Sequence, residues 1–310
     1  MSFLLDGHLS LAKMKTFTCI AALATLLPGA ALATPTKDTY GSKSLPKVDL
    51  GYEIYQATSL NETTNLYSFS NIRYAAPPTG ENRFRAPQPP AQNRSSVQVN
   101  TADTICPQAN PLWSAGSVEY ITRYLGGERS FNKSDFSSAS SLNISNIANL
   151  TSLIPKPDPR TTEDCLFLDV VVPQQLFKKK TKKNGGAAVL VWIYGGGYTA
   201  GSKTDSYEAA GLLARSQVGD DDGVIYVSLN YRLGAFGWLS GPTLQEDGTS
   251  NAGLHDQRFA LEWIQKHIHK FGGDPKRVTV FGESAGGGSI MGQITAYGGN
   301  KGPAPFAQVS

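Results

Sequence analysis

Val278-Thr-Val-Phe-Gly-Glu-Ser-Ala-Gly-Gly-Gly288 is the stretch that decides how this chain folds. It begins as an apolar, β-branched run, passes through Gly-x-Ser-x-Gly and continues into small residues that can start a helix. A strand that turns sharply into a helix around such a serine is typical of a nucleophile elbow, which holds the serine hydroxyl above a sheet. The pattern therefore predicts a strand at 277–281, a helix after Ser284 and a nucleophilic hydroxyl at Ser284.

A second glycine cluster, Tyr194-Gly-Gly-Gly197, follows another apolar run and precedes the elbow by about 90 residues. A glycine-rich loop at this place supplies backbone N–H groups to the oxyanion of acyl transfer. By itself, Gly-x-Ser-x-Gly also occurs in ordinary tight turns, and it is the pairing of the two clusters that favours a catalytic serine. Neither cluster reads Gly-x-Gly-x-x-Gly at a strand–helix junction or ends in Gly-Lys-Ser/Thr, so no nucleotide site is predicted.

The remaining periodicity predicts an α/β fold. Near-continuous apolar runs are typical of strands buried on both faces, and they occur at 165–172, 187–194 and 224–229. Apolar residues at helical spacing lie between and after the later runs, at 206–217 and 252–271. Alternating strands and helices predict a mostly parallel central sheet with helices on both faces.

Composition and charge exclude several classes of protein. The chain is 40% hydrophobic and 17% charged, which is typical of a globular protein and not of a disordered or coiled-coil one. Its net charge of +3 does not predict a nucleic-acid partner. The one basic run, Lys178–Lys183, is predicted to be a solvated loop. No motif for a metal or a cofactor is present, and we expect neither.

The N-terminus has the pattern of a secretory signal peptide over residues 1–33. Its apolar stretch, Phe17–Leu27, is too short to span a bilayer, follows two lysines and is followed by Ala31-Leu-Ala33. Met14 is an alternative start, because a complete signal peptide can be read from it. We expect a secreted protein that begins at Thr34 and has no transmembrane segment.

Cysteine usage and sequons agree with secretion. Cys19 lies in the signal peptide, which leaves Cys106 and Cys165 as one pair for a disulfide. Two buried free thiols are the alternative. Asn-x-Ser/Thr sequons predict glycosylation at Asn61, Asn93, Asn132, Asn143 and Asn149.

Taken together, the chain resembles the type-B carboxylesterase/lipase family, the cholinesterase-like branch of the α/β-hydrolases. The resemblance covers nearly all of residues 50–290 and rests, besides the elbow, on Ile72–Gly80, Glu163–Leu168, Val191–Gly197, Asn230–Gly237, Asn251–Gln257 and Phe271–Pro275. It implies an α/β-hydrolase fold in which residues 34–310 are the N-terminal portion of a carboxylesterase domain. It also implies hydrolysis of a small-molecule or lipid ester through a serine acyl-enzyme, without a cofactor.

The resemblance assigns roles to individual positions. Ser284 matches the nucleophile, and the positions that match the oxyanion-hole donors are Gly196, Gly197 and Ala285. Glu283 matches an acidic position that faces the substrate gorge; a solvent-facing elbow residue is the alternative. The remaining matches are structural, namely the family's first disulfide at Cys106 and Cys165, and buried ion pairs of Arg83 with Glu163 and of Arg232 with Asp256.

One part of the family's pattern is not matched. The triad acid and histidine of the family follow the nucleophile, whereas residues 285–310 contain no Asp, Glu or His. His255, His267 and His269 precede the elbow, and none is expected to be the base; the latter two are predicted to be exposed. We therefore expect the C-terminal part of the fold to be missing, with the chain ending part-way into a strand and the elbow strand left as an uncovered edge. The alternatives are a catalytically inactive fragment and a non-catalytic cholinesterase-like binding protein, although the latter typically lacks the nucleophile.

Overall fold

The structure is a computed structural model that describes residues 45–109, 120–131, 158–179, 185–205, 209–219 and 223–310. Some predictions fall outside these residues, namely the signal peptide at 1–33 and the sequons at Asn132, Asn143 and Asn149. The other two sequon asparagines, Asn61 and Asn93, are exposed.

The described residues form a series of strands, followed from β6 onward by strands and helices together. The strands are β1 (Lys47–Asp49), β2 (Glu53–Gln56), β3 (Ser59–Asn61), β4 (Leu66–Arg73), β5 (Asn93–Gln98), β6 (Phe167–Pro173), β7 (Ala187–Ile193), β8 (Ile225–Leu229), β9 (Gly273–Gly282) and β10 (Gln308–Val309). The α-helices are α1 (Gln174–Lys179), α2 (Ala210–Arg215), α3 (Gly234–Trp238), α4 (Pro242–Gln245), α5 (Ala252–His267) and α6 (Ala285–Thr295), with a further helical stretch at 120–125. Single 3₁₀ turns lie at Gly80–Asn82, Ile268–Phe271 and Ala296–Gly299.

A seven-stranded sheet lies at the centre, in the order β10-β9-β7-β8-β6-β4-β3. Pairing is parallel from β10 through β9 and β7 to β8, and antiparallel from β8 through β6 and β4 to β3. The sheet is therefore mixed, where the sequence pattern indicated a mostly parallel one. Apolar runs could not reveal this, because a strand buried on both faces has the same pattern whichever way its neighbour runs. A smaller sheet joins β1, β2 and β5.

The middle of the large sheet is the core of the molecule. All five residues of β8 are buried, and Val189 and Val191 of β7 and Val278 and Val280 of β9 are fully buried. Helices α5 and α6 pack against β9 and against each other. This packing places the carboxyl ends of β7 and β9 side by side, since the two strands are parallel neighbours.

The end of one predicted helix and the predicted exposure of one histidine differ from the structure. Helix α5 ends at His267 and the chain continues as a 3₁₀ turn. His267 is not exposed but buried between Tyr52 and Trp263, with ring-centroid distances of 5.9 and 5.1 Å. The backbone leaves helical values at His267 (φ −122°, ψ −17°), and the periodicity of a regular helix does not predict where its side chain then lies. His269 is exposed, as predicted.

Two further predictions are corrected. The basic run is not wholly a loop, because Lys178 and Lys179 form the last turn of α1. The edge of β9 is not uncovered, because β10 pairs with it at Thr279 and Val280. No helix of the described chain combines the length and the apolarity needed to cross a bilayer.

The two predicted ion pairs are present but differ in burial. Arg232 and Asp256 are 2.7 Å apart with side chains 3% and 0% exposed, which confirms a buried pair. Arg83 and Glu163 are 2.5 Å apart but 41% and 29% exposed, so the prediction of burial is wrong there. Arg83 follows a short 3₁₀ turn in a surface segment, which keeps its guanidinium partly in solvent.

Candidate active site

Ser284 lies on a strained turn between β9 and α6. Its φ of 54° and ψ of −121° are values that a residue with a side chain rarely adopts. The turn is tight because a Cβ on Gly286 would lie 2.0 Å from the Ile193 carbonyl oxygen, and one on Gly282 would lie 2.7 Å from the Gly286 carbonyl carbon. Because neither glycine has a Cβ, the elbow can pack directly against the end of β7.

The loop of residues Gly195–Gly201, called the glycine loop below, lies directly beside the elbow. A Cβ on Gly195 would be 3.0 Å from Ser284 Cβ and 2.7 Å from the Glu283 carbonyl oxygen. Gly196 and Gly197 have φ values of 89° and 61°, which glycine adopts without strain. Both glycines follow β7 and Ser284 follows β9, so the parallel pairing of these strands brings them together.

Three backbone N–H groups at this junction are free to bind an anion. The N–H groups of Gly196, Gly197 and Ala285 donate to no acceptor within the residues that the structure describes. Both glycines are exposed, and Ala285 is the first residue of α6. The N–H groups of a first helical turn have no intrahelical partner and lie at the positive end of the helix dipole. The arrangement can stabilise negative charge next to Ser284.

The serine hydroxyl has no base beside it in the described part of the chain. Ser284 is exposed, and its Oγ forms no hydrogen bond with any residue that the structure describes. His267 packs in its aromatic cluster and His269 points to solvent. His255 is half-buried on α5, where burial lowers its pKa. Hence none of these three histidines activates Ser284 in this arrangement.

Glu283 is exposed and leans over the glycine loop. Its Oε2 lies 2.8 Å from the place that a Cβ on Gly195 would take. A role facing the substrate remains a prediction for this carboxylate.

Within the described ranges, no group of three or more His, Cys, Asp or Glu is placed to hold a metal ion.

The disulfide joins Cys106 to Cys165, the pair expected from the sequence. The two Cα atoms are 5.0 Å apart and both residues are fully buried. Cys165 lies two residues before β6, so the bridge attaches the segment around Cys106 to the central sheet. That segment continues to Gln108 and Ala109, which contact the glycine loop.

A buried ion network near the disulfide was missed from the sequence. Lys203 Nζ, on a side chain 1% exposed, lies 3.0 Å from Asp103 Oδ1 and 2.8 Å from Asp169 Oδ2. Burial raises the pKa of Asp169 although Lys203 opposes the shift. The signal that could have revealed it is Asp169 itself, a single carboxylate inside the otherwise apolar run 165–172, since a buried charge requires a partner.

Comparison with known proteins identifies relatives over most of the chain. A family model described as "Carboxylesterase family" matches residues 55–300. The chain is 47% identical over 294 residues to the "Carboxylesterase patB" of Aspergillus clavatus, a match that covers 93% of this chain and 50% of that protein. It is 37% identical over 240 residues to the "Secreted triacylglycerol lipase LIP1" of Gibberella zeae, with 75% of this chain and 34% of that protein covered.

A solved structure has the same architecture. The crystal structure of Aspergillus niger EstA superposes with a TM-score of 0.63 at 29% sequence identity, over 86% of this chain and 41% of that chain. The present chain spans about half the length of the carboxylesterase that it matches.

Proposed function

This chain belongs to the carboxylesterase family and has its α/β-hydrolase fold, and we propose that it carries the nucleophile and the oxyanion donors of a carboxylic-ester hydrolase. The observation that carries the proposal is the juxtaposition of Ser284, in its strained turn, with three unpaired backbone N–H groups. An ordinary tight turn requires neither feature.

The proposed reaction proceeds through an acyl-enzyme. Ser284 Oγ attacks the ester carbonyl carbon, and the carbonyl oxygen becomes an oxyanion that the N–H groups of Gly196, Gly197 and Ala285 stabilise. Collapse of this intermediate breaks the ester C–O bond, and the leaving oxygen receives the proton that the base took from Ser284, so that the alcohol departs and the acyl group stays on Ser284. Water then attacks the acyl-enzyme, and the second collapse releases the acid and restores the serine.

A serine hydroxyl is a weak nucleophile until a base takes its proton. Because no histidine in the described residues contacts Ser284, we assign that base to a part of the protein outside them. The backbone donors need no such partner, since peptide N–H groups are always protonated.

The relatives support an ester substrate and a secreted protein. Their names describe a carboxylesterase and a secreted triacylglycerol lipase, so a small-molecule or lipid ester is proposed here. Secretion is consistent with the signal-peptide pattern, with the disulfide and with exposure of the sequon residues Asn61 and Asn93.

Replacement of the nucleophile tests the proposal. Ser284→Ala in the native gene product should lower turnover of short-chain p-nitrophenyl esters by about 10⁴-fold or more, since no other group replaces the acylated oxygen. Ser59→Ala is the matched control, because Ser59 is an exposed residue of β3 and is expected to leave turnover unchanged. A chromogenic phosphonate should label the native protein at Ser284 by mass spectrometry.

The same experiment separates the alternatives. Undiminished turnover in Ser284→Ala would refute the assignment of the nucleophile. Absence of both turnover and labelling in the native protein would refute the proposed hydrolase and favour the two alternatives, an inactive fragment or a non-catalytic binding protein.

A further inference from the structure

Gln108 is a part-buried side chain that bonds to the backbone of the glycine loop. Its Oε1 accepts a hydrogen bond of 2.7 Å from the Gly201 N–H, and its Nε2 donates to the Gly201 carbonyl oxygen at 3.1 Å. The same Nε2 donates to the Cys106 carbonyl oxygen at 2.8 Å. All three bonds agree on which end of the amide carries the nitrogen, so the side chain is held in one orientation.

Gln108 binds the residue that closes the glycine loop. Gly201 closes the loop at a φ of 107°, and a Cβ there would lie 2.6 Å from the Tyr194 ring and 3.1 Å from the Gly195 carbonyl oxygen. Gly201 is thus packed against Gly195, which itself contacts Ser284. Beyond Gly195 the Gly196 carbonyl accepts from the N–H groups of Thr199 and Ala200 at 3.1 Å each, and the Tyr198 carbonyl accepts from the Gly234 N–H at 2.8 Å.

The segment that carries Gln108 is itself firmly attached. Ala109 N–H donates to the Thr199 carbonyl oxygen at 2.7 Å, and Asn230 Nδ2 donates to the Thr104 carbonyl oxygen at 2.6 Å. The disulfide at Cys106 fixes the same segment to the start of β6. Through its hydrogen bonds to Gly201, Gln108 therefore links the disulfide-anchored segment to the loop that carries Gly196 and Gly197.

From these contacts we infer that Gln108 is a positioning residue for the oxyanion donors. Its three hydrogen bonds go to the backbone of Gly201 and Cys106 and not to Ser284, and it holds the glycine loop where the N–H groups of Gly196 and Gly197 point to the oxyanion. The inference rests on the proposed function, which assigns those N–H groups to the transition state. Donors that stabilise the transition state and not the bound ester affect kcat more than KM.

Gln108→Met is the variant of choice, because methionine keeps the length of the side chain and removes all three hydrogen bonds. In the native gene product, kcat for p-nitrophenyl butyrate per titrated active site should fall about 10- to 100-fold, as expected when donors are displaced by a fraction of an ångström to 1 Å. KM should change by less than about threefold. The inhibition constant of a trifluoromethyl ketone, which forms a tetrahedral oxyanion on serine, should rise in parallel with the loss of kcat.

Gln217→Met is the matched control. Gln217 is also half-buried and also donates to two backbone carbonyl oxygens, those of Thr64 and Leu213, but it does not contact the glycine loop. It should leave both kcat and the ketone inhibition constant unchanged. Titration of active sites with a chromogenic phosphonate restricts every rate to folded protein, so poor folding of either variant does not imitate the effect.

The outcomes distinguish the two proposals. Unchanged kcat and unchanged ketone binding in Gln108→Met, in an enzyme that Ser284→Ala inactivates, would overturn the role of Gln108 and leave the proposed function standing. An equal loss in Gln217→Met would also overturn it, because the effect would then be general. If Ser284→Ala retained full turnover, both proposals would fail together.

Discussion

Ser284 occupies a backbone conformation that the surrounding residues impose. Its φ of 54° is of the kind that costs about 1–3 kcal/mol for a residue with a side chain. The turn persists because Gly286 N–H donates to the Glu283 carbonyl oxygen at 2.8 Å and because β7 leaves no room for a relaxed path. At the scale of single residues, this strain exposes the hydroxyl at the start of α6.

His267 is a second residue whose surroundings matter, and it predicts a pH effect. Burial lowers its pKa to about 4, with further lowering by Lys266, Lys270 and His269. An unfolded chain titrates near 6.5, so between pH 6.5 and about 4 only the unfolded state gains the proton. The free energy of unfolding should therefore decrease as the pH falls through this window, by about 3 kcal/mol in total.

Urea denaturation at pH 7 and pH 4.5 measures this effect. His267→Phe keeps a ring between Tyr52 and Trp263 and should remove much of the difference in stability between the two pH values. His269→Phe changes an exposed histidine of the following 3₁₀ turn and should keep the difference. If His267→Phe had the same pH dependence as the native protein, the buried imidazole would not be its source.

At the scale of elements, the elbow is the joint of one strand with one helix. β9 ends and α6 begins within three residues, and the helix starts against the end of β7. Consecutive glycines in α6 differ in what surrounds them. A Cβ on Gly286 would lie 2.0 Å from the Ile193 carbonyl oxygen, whereas one on Gly287 would have its nearest neighbour at 3.5 Å.

These two glycines form a matched pair for substitution. Gly286→Ala should destabilise the protein by about 1–3 kcal/mol or more, because the added methyl group would clash with backbone atoms that cannot easily move. Gly287→Ala should be neutral or stabilise by up to about 1 kcal/mol, because alanine favours the helix. Thermal unfolding followed by circular dichroism compares them. Equal stabilities of the two variants would mean that α6 can move away from β7, contrary to the packing described here.

For the whole molecule, the disulfide and the Lys203 network connect segments that are far apart in sequence. Asp103 binds Lys203 at 3.0 Å and Arg160 at 2.8 Å, close to the two ends of the disulfide-closed loop. The bridge itself spans 59 residues. These contacts hold the described residues at both ends of that loop against the central sheet, and Gln108, near one end, contacts the glycine loop.

Loss of the disulfide should lower the stability of the whole fold. In the chain-entropy model, a loop of this length contributes about 4 kcal/mol to the free energy of unfolding. The double variant Cys106→Ser/Cys165→Ser should unfold at a correspondingly lower urea concentration, and reductant should shift the native protein but not the variant. A native midpoint that reductant does not move, with the bridge shown by mass spectrometry to be reduced, would contradict this expectation.

Much of the fold could be predicted from local patterns. The runs at 187–194 and 224–229 became β7 and β8 with bounds shifted by one residue, because consecutive apolar β-branched residues favour a buried strand. The burial of His267 and the exposure of Arg83 were not predicted correctly. Both depend on how the chain turns just beyond a helix or a 3₁₀ turn, which periodicity does not describe.

By itself, the sequence determined the nucleophile candidate, the glycine loop and the strand–helix alternation. Each is a local property, set by which backbone angles a few neighbouring residues can adopt. Only the tertiary structure decided the antiparallel half of the sheet, the contact of Gly195 with Ser284 and the bonds of Gln108 to Gly201, a residue 93 positions away. Those contacts arise because β7 and β9 pair in parallel and because a disulfide brings a distant segment beside them. A short-range sequence pattern does not specify which residues come into contact in this way.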